Sequence, residues 1–217
     1  MADVIQLQFF KKSIHEYAIG YHIKSYCHIS NGKISKNGEV LFSDDSEEFP
    51  AFIKAAYKHF ETDYSKFFKM DNLSKLAFMG AEVLLKDNNE ENTALVLSNS
   101  ASSLDTDRKH QDAISDQSGA YASPAVFVYT LPNICMGEIS IRHKLYSENS
   151  FFIFAEFNPH LLSDYANDLL ETGKANEVLC GWVDYDKGKY DAFLYVIAKK
   201  GLLPFDTGEL TKLYRTK

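Results

Sequence analysis

The sequence predicts an α/β fold whose central sheet contains both parallel and antiparallel strand pairs. Residues 151–185 give a strand, a sharp turn, a helix and a second strand, an order typical of parallel strands joined by a right-handed crossover. The link from that second strand to the apolar run at residues 193–198 is too short for a crossover, which predicts an antiparallel pair. We find no internal repeat and no low-complexity linker, and we expect one α/β domain over residues 1–217.

The first strand of this unit spans residues 151–156 (FFIFAE), and its nearly continuous apolar character is typical of a strand buried on both faces. Asn158 is a good N-cap and Pro159 suits the first helical position, so we predict that a helix begins there. Apolar side chains then recur at helical spacing, and Gly173 ends the helix as a C′ residue. Residues 178–183 form the second strand.

Glu156 is the residue immediately before this turn. A helix N-terminus offers unpaired N–H groups and a partial positive charge, which can activate a nucleophile beside it. The plainer interpretation is that Glu156 is a carboxylate that the helix dipole stabilises, and the residues alone favour this interpretation.

The remaining segments also alternate between strands and helices. Residues 17–29 predict a strand, and the turn formers Asn31-Gly32 and Asn37-Gly38 connect it to further strand residues. A helix follows the polar residues 43–46, and another begins at Asp71, with the small residue Gly80 on its apolar stripe. The other predicted elements are a strand at 93–97, apolar segments at 124–129 and 132–143, a turn at 186–189, and a tail or short helix at 201–217. We expect the following side chains of the second apolar segment and its end to be mostly buried: Ile134, Met136, Ile139, Ile141 and Leu145.

The polar residues 98–120 predict a solvated loop or a partly helical excursion. Four aspartates in this stretch suggest calcium, but it lacks the central glycine and the terminal glutamate of the helix-loop-helix calcium motif. His22 and His28 can share one strand face, yet no third ligand accompanies them. We therefore predict no metal site.

Composition argues against several classes of protein. The net charge is −7 and no basic patch stands out, which argues against a nucleic-acid partner. Cys27, Cys135 and Cys180 form neither an even set nor a C-x-x-C pair, which argues against a disulfide framework and a zinc site. Without a signal peptide, a membrane-spanning run or a nucleotide-binding motif, we expect a cytoplasmic protein with no membrane contact and no cofactor.

Six short segments carry a family resemblance. They are residues 71–81 (DNLSKLAFMGA), 93–103 (TALVLSNSASS), 123–127 (SPAVF), 130–133 (TLPN), 137–141 (GEISI) and 173–184 (GKANEVLCGWVD). In this order and spacing they resemble the N-terminal half of a β-ketoacyl synthase of the thiolase-like superfamily, over roughly residues 65–198. The resemblance implies a thiolase-like half, with a mixed central sheet and helices on both of its faces.

Two departures from the family decide the expected function. The family's nucleophilic cysteine lies at the strand-to-helix turn, and counting back from Gly173 places that position at Glu156, where a carboxylate cannot form the usual acyl thioester. The family's catalytic histidines and lysine belong to a C-terminal half that lies beyond Lys217. The resemblance therefore implies a non-condensing protein of the chain-length-factor type, working in fatty-acid or polyketide-type biosynthesis.

The resemblance also implies partners. Family dimers pair along the strand that leads to the cysteine turn, here residues 151–155, so we expect a homodimer or a heterodimer with an active ketoacyl synthase. Acyl carrier protein is a further candidate partner, although the acidic net charge argues against unaided docking of an acidic protein. The candidate ligand or interface residues are Phe151, Phe152, Phe154 and Phe157, for which simple core packing is an equally good interpretation.

Two alternatives stay open from the sequence. One is an enzyme that processes an acyl thioester with Glu156 as general base or nucleophile. The other is a binding module for small acyl ligands.

Overall fold

A computed structural model describes residues 20–46, 48–115 and 123–216 and shows a mixed sheet with helices on both faces, which confirms the predicted fold class. Its strands are β1 (His22–Ser30), β2 (Lys33–Lys36), β3 (Glu39–Ser43), β4 (Thr93–Asn99), β5 (Asn149–Ile153), β6 (Glu177–Asp186), β7 (Lys189–Ala198) and β8 (Leu203–Pro204). Its helices are α1 (Phe49–His59), α2 (Asn72–Leu85), α3 (Leu104–Ser115), α4 (Pro124–Val128), α5 (Ile134–His143), α6 (Pro159–Glu171) and α7 (Thr207–Arg215), with a 3₁₀ helix at Ser65–Lys69.

The strand order is β3-β2-β1-β7-β6-β4-β5, and β8 pairs with β1. Strand β4 runs parallel to both β5 and β6, whereas the remaining pairs are antiparallel. The predicted β5–α6–β6 unit therefore has parallel strands, but β4 lies between them instead of the two being neighbours. As a result, the carboxyl ends of β4, β5 and β6 meet at one edge of the sheet.

Strand β5 differs from the prediction of a strand buried on both faces. It ends at Ile153, not Glu156, and it lies at the edge of the sheet, where β4 is the one strand paired with it in the described part of the chain. Phe151 and Phe152 are half-buried and the Ile153 side chain is 50% exposed. The prediction was wrong because a continuous apolar run indicates only that helices cover the faces of a strand. It does not indicate whether a second strand pairs along its outer edge.

Helix α3 occupies most of the stretch that was predicted as a loop or partly helical excursion. It carries no apolar stripe: Thr106 is its buried residue, and its surface holds an ion pair of 2.6 Å between Lys109 and Asp105. Residues 116–120 of that stretch lie outside the described part. The prediction also failed at Ile141, which is 63% exposed because α5 turns Met136 and Ile139 toward the core instead.

Local signals at the ends of helices and strands are confirmed. The Asp71 carboxylate accepts a hydrogen bond of 2.9 Å from the Ser74 N–H and so caps α2. Asn31 and Gly32 both adopt positive φ at the β1–β2 turn. The helix expected after residues 43–46 begins at Phe49, and the C-terminal tail forms the amphipathic helix α7. Residues 17–19 of the first predicted strand lie outside the described part.

Two apolar layers cover the sheet. Helices α1, α2 and α5 pack on one face, and α6 and α7 pack on the other. Gly80 of α2 permits the expected close approach, since a Cβ there would lie 2.6 Å from Leu194 Cδ1 of β7. Within the described part of the chain, no helix is long and apolar enough to cross a membrane.

Candidate functional site

The β5–α6 corner places Glu156 at the carboxyl edge of the parallel strands, where open α/β sheets bind ligands. The Phe154 N–H donates a hydrogen bond of 2.9 Å to the Asn99 carbonyl, which joins the end of β5 to the end of β4. The Asn158 side chain caps α6 by accepting a hydrogen bond of 3.1 Å from the Leu161 N–H. The chain therefore turns sharply here, and it does so at the residues that the sequence indicates.

Glu156 itself is exposed on this corner, two residues before the N-cap. Among the described residues it makes no hydrogen bond and no ion pair, and no histidine or lysine touches its carboxylate. A general base or nucleophile needs a neighbouring group that sets its protonation and orientation. The geometry around Glu156 is that of a solvated carboxylate near a helix N-terminus.

The four candidate phenylalanines do not line one pocket. Phe152 and Phe154 stack on each other, with ring centroids 5.8 Å apart, and Phe152 meets the Tyr165 ring of α6 at 5.4 Å. Phe151 packs on the opposite face of the sheet. Phe157 is buried against the Phe193 ring at 5.6 Å, so it belongs to the core under α6 and α7.

A neighbouring corner, between β4 and α3, is held by Asp184 of β6. The Asp184 carboxylate accepts hydrogen bonds from the N–H groups of Ser100 and Ala101, both at 3.0 Å, and from the Ser100 hydroxyl at 2.9 Å. Asp184 thus supplies the negative charge that these main-chain N–H groups attract. Asp184 is the last residue of segment 173–184, and no local signal in the sequence predicts this contact.

A cavity of about 520 Å³ opens beside this corner, and its walls carry both carboxylates and ammonium groups. Asp184, Asp186 and Asp191 line it, together with the lysines of the β6–β7 turn. Burial, and next the Asp191 carboxylate that accepts its hydrogen bond at 2.8 Å, raise the pKa of Tyr214 behind this wall. This part of the edge therefore carries charges of both signs, because Lys187 and Lys189 line the same cavity and Arg108 pairs with Asp186.

None of the three cysteines reaches this edge. Their exposed fractions are 1% for Cys27 and 0% for both Cys135 and Cys180. Burial raises the pKa of Cys27 to about 12, and it also raises the pKa values of Cys135 and Cys180. Because these are all the cysteines of the chain, the folded protein offers no accessible thiolate.

Among the residues that the structure describes, no strand pairs with the outer edge of β5. The Leu95 N–H donates to the Glu148 carbonyl and the Phe154 N–H to the Asn99 carbonyl, so even-numbered residues of β5 face β4. Main-chain groups of alternate residues point to opposite sides of a strand, which directs those of 149, 151 and 153 away from the sheet. Beside this edge lies a groove of about 490 Å³, whose apolar walls include Ile134, Met136, Phe151 and Ile153.

Within residues 20–46, 48–115 and 123–216, no three His, Cys, Asp or Glu side chains are placed to hold a metal ion. His28 stacks on the Phe193 ring with centroids 4.6 Å apart, and Asp105 lies on the surface of α3.

Comparison with known proteins gives structural likeness without sequence likeness. No protein-family model matches the chain, and no curated protein matches it. A ketosynthase/chain length factor of ishigamide superposes on 82% of this chain with a TM-score of 0.58 and 18% identity. A chain of a ketosynthase in complex with its chain length factor, from Xenorhabdus doucetiae, superposes on 92% of it with a TM-score of 0.59 and 15% identity.

A β-ketoacyl synthase from Burkholderia phymatum gives a third likeness, covering 91% of this chain with a TM-score of 0.56 and 12% identity. This chain spans 62% of the ishigamide protein's length, 61% of the Burkholderia protein's and 93% of the Xenorhabdus chain's.

Proposed function

Because the chain has the thiolase-like fold of ketosynthases and chain length factors, we propose that it is a non-condensing partner subunit in fatty-acid or polyketide-type biosynthesis. Its role is to bind an active ketoacyl synthase, as the Xenorhabdus ketosynthase is in complex with its chain length factor. The observation that supports this role is the combination of an exposed carboxylate at Glu156 with three buried cysteines.

The absence of an accessible thiol argues against condensation. A ketosynthase must form a thioester with the growing chain, and this step requires a thiolate that the acyl donor can reach. A carboxylate in that place can form only a far more reactive acyl anhydride. The chain thus combines the fold of these neighbours with a β5–α6 corner that offers no thiol for forming an acyl thioester.

The open edge of β5 supports binding of a partner. Unpaired main-chain groups along an edge strand readily pair with a second strand, and natural proteins cover or block such edges. Here the edge is short and carries the half-exposed side chain of Ile153, next to an apolar groove. We propose that a ketoacyl synthase pairs its own edge strand here, and that a second copy of this chain is the competing occupant.

The test is to purify the protein from its own cells and to measure the mass of its complexes in solution. We expect a stable complex with a ketoacyl synthase. The variant Ile153→Lys introduces a charge at the edge that blocks strand pairing, and we expect it to weaken this complex at least about tenfold. Leu202→Lys is the matched control, since Leu202 is 60% exposed in the loop after β7, and it should leave the complex intact.

A protein that stays monomeric and retains no synthase would contradict this proposal. A complex that both lysine variants leave equally intact would contradict only the assignment of the β5 edge. Recovery of homodimers alone would make a second copy the occupant of that edge.

The enzyme alternative remains a prediction with its own test. It requires turnover of an acyl thioester by the isolated chain, and loss of that turnover in Glu156→Gln. No contact around Glu156 favours it. Docking of an acyl carrier protein also stays a prediction, and the charges at this corner do not favour it, since Lys187, Lys189 and Arg108 only offset the three aspartates there.

A further inference from the structure

We propose that a cavity between α2, α3 and α4 binds a phosphate monoester with a short apolar substituent, held by Lys69, Lys75 and Lys109. The cavity has a volume of about 240 Å³, which suits a small ligand. It lies on surfaces that the proposed partner contact at β5 does not use, so this inference goes beyond the proposed function.

The charges around the cavity do not balance. Its walls carry three ammonium groups, from the 3₁₀ helix, α2 and α3, and one carboxylate, that of Asp71. Both oxygens of that carboxylate are already engaged, one by the Ser74 N–H at 2.9 Å and the other by the Thr106 hydroxyl at 2.8 Å. Asp71 therefore serves the helix cap, and its single negative charge is outnumbered by the three ammonium groups of the lining.

Lys75 is the unusual member of the group. It is half-buried on α2, and among the described residues it forms no ion pair and no hydrogen bond through its ammonium group. Burial lowers the pKa of Lys75; the charge of Asp71 opposes this, and that of Lys109 adds to it. A half-buried cation that faces a second cation across a cavity has an unfavourable environment that a bound anion would relieve.

The other two lysines complete the arrangement differently. Lys109 pairs with Asp105 on the outer surface at 2.6 Å, yet it still lines the cavity. Lys69 is exposed and makes no ion pair within the described residues. Three separate ammonium groups act as point charges, which suits the distributed charge of a tetrahedral phosphate dianion better than a planar carboxylate.

The apolar part of the cavity lining is the reason that we propose an apolar substituent on the phosphate. Met70 is buried beside Lys69, and Ala125 and Val126 of α4 also line the cavity. A free phosphate would leave this wall in contact with water. A phosphate monoester places its phosphate among the lysines and its short alkyl chain against Val126, so the whole lining is used.

The experiment is calorimetric titration of the 217-residue chain with butyl phosphate, inorganic phosphate and butyrate, each compared with sodium chloride at equal ionic strength. We expect butyl phosphate to bind more tightly than inorganic phosphate, and butyrate to bind most weakly. Lys75→Met keeps the aliphatic stem and removes the charge. It should weaken butyl phosphate binding at least about tenfold, as loss of a charge-assisted hydrogen bond does.

Lys54→Met is the control, because Lys54 is an exposed lysine on α1, away from the cavity. It should leave binding unchanged. Lys75→Met should also fold at least as stably as the wild type, since it removes a desolvated charge, and Lys109→Met gives a second variant on a different helix. Butyrate binding as tight as butyl phosphate, inorganic phosphate binding as tight as the ester, or Lys75→Met binding like wild type would each overturn the proposal.

Discussion

Replacing Glu156 with cysteine tests whether the β5–α6 corner can still activate a thiol. The side chain is exposed and lies just before the N-terminus of α6, whose partial positive charge favours a thiolate. The matched control is Thr172→Cys, an exposed position at the C-terminal end of the same helix, where the dipole disfavours a thiolate. A dipole effect of about 0.3–1 kcal/mol makes Glu156→Cys about two- to fivefold more reactive near neutral pH.

The wild-type cysteines provide the background against which this reaction is measured. A pKa of about 12 for Cys27, instead of 9.0, leaves about a thousandfold less thiolate at neutral pH. Cys135 and Cys180 are raised by burial as well, and none of the three is exposed. We therefore expect no rapid thiol reaction in the folded wild type and three reactive thiols after denaturation.

The assay is the time course of reaction with an aromatic disulfide, followed by absorbance for the wild type and both variants. Each variant should show one fast thiol. A fast thiol in the folded wild type would refute the argument that the protein has no accessible nucleophile. If Glu156→Cys reacts no faster than Thr172→Cys, the corner does not have the activating field that the proposed correspondence with the family's cysteine turn requires.

Two further changes test the fold around the site. Gly181→Ala would place a Cβ against the Phe193 carbonyl oxygen of the neighbouring strand, so we expect a loss of several kcal/mol in the free energy of unfolding, measured by chemical denaturation. Gly80→Ala meets side-chain atoms of Leu194 and Ile29 instead of backbone, and it should cost less. Asp184→Asn keeps the shape but removes the charge that three donors share, and we expect it to lower the free energy of unfolding by about 1–3 kcal/mol. Equal effects of the two glycine variants, or an unchanged Asp184→Asn stability, would contradict these assignments.

Sequence reasoning succeeded where the structure depends on neighbouring residues. The cap at Asn158, the helix end at Gly173 and the turn at Lys187-Gly188 were all predicted, because capping and positive φ are decided within a few residues. The same local signals located the corner that carries Glu156.

Sequence reasoning failed where the structure depends on the order of strands. Strand β5 resembles a buried central strand in its composition, yet the sheet ends there, and nothing within residues 149–153 reports this. The sequence could have predicted that the phenylalanines lie on different faces of the sheet. Successive side chains of a strand point to opposite faces, which already separates Phe151 from Phe152 and Phe154. The lysine cavity could not be predicted from the sequence, since its lysines come from three segments that only the folded chain brings together.

A buried acid gives a last prediction, on the opposite side of the sheet from α6. Glu82 of α2 is 1% exposed and accepts hydrogen bonds from Arg142 at 2.7 and 3.1 Å, and His143 lies 3.3 Å from its second oxygen. Burial alone would raise the pKa of Glu82, but nearby His143 and the two hydrogen bonds from Arg142 outweigh it and lower the pKa from 4.5 to about 2. These contacts join α2 to α5.

The lowered pKa makes this contact sensitive to acid. Because the folded protein holds Glu82 ionised more strongly than the unfolded chain does, the stabilisation is complete above a pH of about 4.5 and is lost as the pH falls toward about 2. The difference of about 2.5 in pKa corresponds to about 3 kcal/mol. The measurement is the free energy of unfolding of the wild type and of Glu82→Gln across this pH range. The other carboxylates contribute equally to both proteins, so they cancel in the difference. The gap between the two proteins should narrow as the pH falls below about 4.5, and a gap that stays constant would mean that Arg142 and His143 do not hold Glu82 in its charged form.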